Sequence, residues 1–357
     1  AVKVTPAHDI LDAEIGERHK LSQYQVIDER GRMTSEAGKD FAGLKVLEAR
    51  EKVAARLQEM GLIEKAEDFD HNLAVCYRCA TTLEPLLSNQ WFLRMAEPPQ
   101  VKSEKRKAKN VGPSLRDMVL KTLKSGKTKI IPKNFEKILF SWLENIKDWC
   151  ISRQIWWGHQ LPVWFHEPKC VPKKGHEEEI VKCEEIVVAI NQPKCKYCDA
   201  KFVQSEDVLD TWFSSALWPF AGLSDQDLKD LYPSNVLITA RDIINLWVAR
   251  MIFSGLEFMK KGPFPDVLIH ATILTKEGKR MSKSLGTGID PLELIEKYGA
   301  DATRFGIIWQ AMGTQDIHWD EAAVMAGKKF ANKLWNISRF VLLQIGNPKS
   351  YILNPKS

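Results

Sequence analysis

Apolar residues recur at helical spacing over several stretches of the chain. In residues 48–60, Val53, Ala54, Leu57 and Met60 fall on one face and Gly61 ends the run, which predicts a helix with one apolar side. The same spacing predicts helices over 115–123, 135–146, 291–298, 301–309 and 320–345. Apolar runs at 236–239 and 267–270 read as short strands, with an apolar helix over 243–260 between them. Strands alternating with helices predict an α/β fold with a parallel sheet of the doubly wound kind. The pattern lapses at 97–110, rich in Pro and Lys, and at 276–288, a Lys- and Gly-rich loop directly behind the second strand.

The chain has 357 residues, room for two or three domains, and its 44% hydrophobic content excludes disorder over the whole length. No stretch reaches the roughly 18 uncharged apolar residues that a membrane span needs. The nearest, 243–259, carries Arg250 and Glu257. The opening AVKVTPAHD lacks the basic-then-apolar order of a secretion signal, so the expected location is cytoplasmic. A start on Ala1 points to a fragment or a processed chain. The net charge of +5 is unevenly spread: residues 102–137 hold 12 Lys or Arg against 3 acids. Such a stretch suits a polyanion, with phosphate backbones the usual one, or else forms a solvated insertion.

Seven cysteines, an odd number without a secretion signal, argue for reduced thiols or metal ligands over a disulfide framework. Cys76/Cys79 and Cys195/Cys198 form two Cys-x-x-Cys knuckles. Zinc takes four ligands in tetrahedral array, normally two from each of two knuckles. Residues 164–202 also carry His166, Cys170 and Cys183, which predicts a zinc-ribbon insertion with an irregular first half. Cys76 and Cys79 have no obvious partner knuckle; His71 and the second knuckle are the candidates.

The loop 278–286 reads Gly-Lys-Arg-Met-Ser-Lys-Ser-Leu-Gly, with three cations among small and hydroxyl residues. Hydroxyls and backbone N–H groups can cradle phosphate oxygens, and a lysine can follow moving negative charge. The segment RMSKS resembles the KMSKS loop of class I aminoacyl-tRNA synthetases. DWCISRQIWWGHQLPVW (148–164), DVLDTWFSSALWPF (207–220), DIINLWVARM (242–251), IDPLELIEKYGADATRF (289–305) and NKLWNISRF (332–340) are similar to the valyl-tRNA synthetase family, in the family's order. So are VKVTPAHD (2–9), residues 28–33 and LEPLLSNQWFLRM (83–95).

The resemblance implies a layout. Residues 1–25 would end the inserted editing domain, and 26–206 would be a connective region with the knuckles. Residues 207–320 would form the second half of the Rossmann catalytic domain, and 321–357 would begin the helical anticodon-binding domain. The family's His-x-Gly-His motif does not occur here, so a fragment lacking the first Rossmann half is expected.

The resemblance also implies roles. Lys283, Arg280, Ser282 and Ser284 would be the catalytic loop residues, Arg280 replacing the family's first lysine. Asp242, His270 and Met281 would meet ATP or the adenylate. Ala240 stands for a family Gly, Ala271 for a common Gly, Thr275 for a common Asp and Thr287 for a common Asn. Trp212, Ile243 and Trp247 would line the amino-acid pocket, with Ile243 and Trp247 on one helix face. Asp12, or the nearby Asp9, would hold the substrate's amino group in editing; Ile10 replaces the family's Pro. The metal ligands would be Cys76, Cys79, Cys170, Cys195 and Cys198. The implied activity is valine–tRNA ligation, with ATP, Mg2+, valine and tRNA-Val as cofactors and partners and a missing N-terminal half as a further one. Isoleucyl-tRNA synthetase is the nearest alternative, and a non-catalytic tRNA-binding piece is the other.

Overall fold

The computed structural model describes residues 3–68, 70, 72–76, 79–96, 113–167, 185–281, 286–311 and 316–345. The chain divides into two compact units, residues 1–90 and 91–357.

The first unit holds two helices. Ile10–His19 starts at Asp9, whose carboxylate accepts the Asp12 N–H at 3.0 Å, satisfying one of the unpaired first-turn donors. Val46–Glu59 matches the predicted helix, with the Glu48 carboxylate accepting the Lys45 N–H. Its apolar side is not covered as the pattern suggests: Val53, Leu57 and Met60 are exposed, and only Ala49 is buried.

The second unit is built around a parallel sheet of three strands in the order 129–131, 266–269, 236–239. The two expected strands are present as Val236–Thr239 and Asp266–Ile269. The third, Lys129–Ile131, comes from the stretch expected to be connective. Helices Leu115–Lys124, Asn134–Glu144 and Ala249–Phe258 enclose one core with this sheet: Val119, Leu139, Leu143, Val248, Met251, Ile252 and Val267 are fully buried together. Packing is therefore continuous across residue 206. Ser114 starts the first of these helices by accepting the Asp117 N–H, and the Ser114 hydroxyl in turn holds the Asp117 carboxyl below its ordinary range.

The expected helix over 243–260 is three pieces: a 3-10 turn Arg241–Ile243, a π turn Ile244–Val248, and the α-helix Ala249–Phe258. Helix Pro291–Tyr298 is capped by Asp290, and Ala300–Gln310 packs against Glu321–Gln344. That crossing is close: a methyl on Gly306 would stand 2.6 Å from Val324 Cα, and one on Gly327 would stand 2.7 Å from Ala302 O. A separate antiparallel sheet joins strands Ile186–Val188, Val163–His166 and Phe202–Gln204, with the first on one side of the second and the third on the other. No helix among the described residues is long and apolar enough to cross a membrane.

Candidate active site

The C-terminal ends of strands 236–239 and 266–269 open into a cleft of about 850 Å³. Ligands of open parallel sheets sit at such ends, because the chain leaves each strand there and exposes backbone and loop groups. Ala240, Arg241, Asp242, His270, Thr272 and Arg280 face it, with Ile307, Ile308 and Ile317 as apolar wall. Ala240 has φ −83°, so the backbone at this family glycine suits any residue.

The loop behind the second strand is a hairpin. Thr275 O accepts from Gly278 N, Thr275 N donates to Lys279 O, and Thr275 Oγ1 accepts from Lys279 N. Gly278 has φ +79°, and a methyl there would stand 3.0 Å from His318 Cε1, so turn and neighbour both need glycine. The hairpin pairs Leu274 with Arg280 and returns Arg280 to the cleft. There its Nη2 meets Asp242 Oδ2 at 3.1 Å. Arg241 makes a second link, to Asp316 at 2.9 Å, and Asp316 also accepts the Thr272 N–H. His270 donates its N–H to Thr239 O. Met281, expected to meet ATP or the adenylate, packs against the cluster of Leu294, Ala302, Trp319 and Val324. Ser282, Lys283 and Ser284 lie outside the described residues.

A second, smaller pocket of about 440 Å³ is lined by Trp212, Ser215, Trp218, Ile243 and Trp247. The three residues singled out from sequence converge here; Ser215 and Trp218 join them. Trp247 Nε1 donates to Ser215 O at 3.0 Å, which fixes the indole as a wall. Ile243 and Trp247 share the pocket although the simple helix assumed for them is replaced by the 3-10 and π turns. The turn Arg241–Ile243 joins both cavities, presenting Asp242 to the cleft and Ile243 to the aromatic pocket.

His166, Cys195 and Cys198 bring their ligand atoms within 4.8 Å of one another, with His166 Nε2 3.1 Å from Cys198 Sγ. His166 Nδ1 contacts Glu167 O at 2.7 Å, which turns the other ring nitrogen toward the thiols. Cys170 and Cys183 lie outside the described residues. Among the described residues, Cys76 and Cys79 gather no third ligand; hydrogen bonding with Thr81 holds the Cys79 thiol below its ordinary range. Asp12 accepts from Thr5 N at 2.7 Å and Thr5 Oγ1 at 3.0 Å, while Asp9 serves as the helix cap.

The model of the family "tRNA synthetases class I (I, L, M and V)" matches residues 10–320. The valine–tRNA ligase of Carboxydothermus hydrogenoformans is 45% identical over 97% of this chain and 36% of its own length. That of Thermotoga maritima is 44% identical over 98% and 37%. Methionyl-tRNA synthetase of Mycobacterium tuberculosis, solved with methionyl-adenylate, is similar over 76% of this chain and 43% of its own, at 18% identity and a TM-score of 0.46. The chain thus spans about a third of the length of the curated relatives it matches. With the family model covering most of its length, the chain belongs to the class I tRNA synthetases of the isoleucine, leucine, methionine and valine group.

Proposed function

We propose that the chain is part of the aminoacyl-adenylate site of a valine–tRNA ligase. The observation that carries the reading is the turn Arg241–Ile243, which sets a carboxylate in a large cleft and a branched aliphatic side chain in an aromatic pocket next to it. An aminoacyl-adenylate has the matching halves, a nucleotide joined to a small side chain. The Asp242 carboxylate would accept ribose hydroxyls, exchanging its Arg280 partner for the ligand. Arg280 and Lys283 would then attend the phosphates of ATP, which enters as its magnesium complex, and Ser282 and Ser284 would supply loop hydroxyls. His270 would edge the nucleotide site. The apolar walls of Trp212, Ile243 and Trp247 suit valine and reject larger side chains by clash. Threonine, which replaces a methyl by a hydroxyl, is rejected only weakly by such a pocket, and this is the chemical need for an editing site. Residues 1–25, with Asp12 or Asp9, would contribute to that site, 26–206 would be connective, 207–320 would complete the catalytic half, and 321–357 would begin a tRNA-binding helical domain. The exposed lysines 121, 124, 127, 129, 133 and 137 suit an RNA partner.

His166, Cys195 and Cys198 fit a zinc ion as three of its four ligands, two thiolates and an imidazole with its second nitrogen already engaged. The metal would tie the strand end at His166 to the 195–198 turn. Metal analysis of protein purified without chelator under reducing conditions should find zinc, and Cys198→Ser should lose it.

The test of function is ATP–pyrophosphate exchange by the full-length enzyme that carries this sequence, with valine, isoleucine, leucine, methionine and threonine compared. Valine should give the highest kcat/KM. Preference for isoleucine or methionine would overturn the valine assignment.

A further inference from the structure

Asp210 is 5% exposed, yet its carboxylate serves four polar contacts. Its Oδ2 accepts from Trp149 Nε1 at 2.9 Å, Arg153 Nη2 at 3.0 Å and Arg250 Nη1 at 3.2 Å. Its Oδ1 accepts the Trp212 N–H at 3.2 Å, and its own N–H donates to Ile151 O at 2.7 Å. The Arg250 guanidinium lies 3.7 Å from the Trp149 ring centroid and is itself buried, which lowers its pKa while Asp210 acts against the shift. Burying the Asp210–Arg250 pair costs desolvation, with Arg153 38% exposed at the edge, and apolar packing would stabilise a core at least as well. A fixed geometry is what such a cluster provides in return.

That geometry concerns the aromatic pocket. Asp210 caps helix Thr211–Ala216, which carries Trp212 and Ser215, one wall of the pocket. Arg250 follows Trp247, the opposite wall, by three residues. The Trp247–Ser215 hydrogen bond closes the circuit. We propose that Asp210 is a positioning residue for amino-acid selection, setting the spacing of the Trp212 and Trp247 walls through its cap and its hold on Arg250. The inference rests on the aromatic pocket being the amino-acid site.

Asp210→Asn keeps the side-chain volume and an acceptor for the cap but removes the charge shared by the two arginines. In amino-acid-dependent exchange by the full-length enzyme, it should raise the valine KM about tenfold, leave the ATP KM within about twofold, and lower the preference for valine over isoleucine. Trp149→Phe retains an aromatic face for Arg250 and removes one donor to Asp210. It should raise the valine KM about threefold, and it decides the matter if the first variant does not fold. An unchanged valine KM in whichever variant folds, or valine and ATP KM rising together, would overturn the proposal, since general loosening would not single out one substrate. Should the unmodified enzyme activate another amino acid instead of valine, the valine reading falls. The same KM comparison with that amino acid then decides the role of Asp210.

Discussion

At the scale of single residues, the cleft contains a pair that would exchange partners in the proposed adenylate complex. Arg280 and Asp242 are 3.1 Å apart, but their side chains are 77% and 51% exposed, so the pair adds little to stability. Arg280→Ala should shift the denaturant midpoint by less than about 0.5 kcal/mol equivalent while slowing adenylate formation measured by rapid quench. A large loss of stability with normal adenylate formation would make Arg280 a structural residue. Lys283 is assigned through resemblance alone. In the proposed role its contact would strengthen as negative charge moves onto departing pyrophosphate, so Lys283→Ala should slow activation roughly a hundred- to a thousandfold with little change in valine binding. Single-turnover kinetics with the intact rate would remove it from the reaction. Asp242, Trp212 and Trp247 were legible as candidates because they sit inside long recognisable segments, and Arg280 because it opens the RMSKS loop. Asp210 was not singled out from the sequence: the charges that load its carboxylate come from 40 and 57 residues away, and only folding reveals them.

Among the elements, helix limits followed the hydrophobic pattern closely: the 291–298 helix begins on Pro291 behind a capping Asp290 and stops before Gly299. Two features escaped. Strand Lys129–Ile131 is three residues long among lysines, and its pairing with 266–268 spans more than a third of the chain, so no local signal marks it. The π turn at 244–248 carries Trp247, which lines the pocket, and matches no simple helical period in the sequence. The crossing of helices 300–310 and 321–344 allows a sharp test. Gly306→Ala must push Val324 away and should cost about 1–3 kcal/mol in urea unfolding. Gly288→Ala, with open space around it, should cost less than about 0.5 kcal/mol. Equal effects would mean that the crossing yields freely. Helix 321–344 also begins with a pH-sensitive contact. Glu321 accepts from Lys297 Nζ at 2.8 Å and Tyr298 Oη at 2.6 Å, and these bonds hold its carboxyl below the ordinary range. The folded state thus favours the anion. This contribution is full above the unfolded pKa and is lost as pH falls through the folded one. Amide-exchange protection in the first turns of this helix should fall as the pH drops through and below the ordinary carboxyl range. Glu321→Gln should flatten that dependence; an identical profile in the variant would place the acid sensitivity elsewhere.

Over the whole molecule, the sheet, the cleft and the aromatic pocket belong to the second unit, where one hydrophobic core runs from Met95 to Ile269. Its strand order could not be read from hydrophobic periodicity, since period shows which residues face inward but not which strands meet. The apolar runs marked the two strands around the site, and the family resemblance left the third among connective residues. The central claim is that the turn Arg241–Ile243 joins a nucleotide cleft to an amino-acid pocket. The most direct measurement is the KM of each substrate in valine-dependent ATP–pyrophosphate exchange by the full-length enzyme for Asp242→Asn and Trp247→Ala. Asp242→Asn should raise the ATP KM about tenfold or more and leave the valine KM within about threefold. Trp247→Ala should do the reverse and admit larger aliphatic substrates. Equal effects of both variants on both substrates, or no effect of either, would contradict the account.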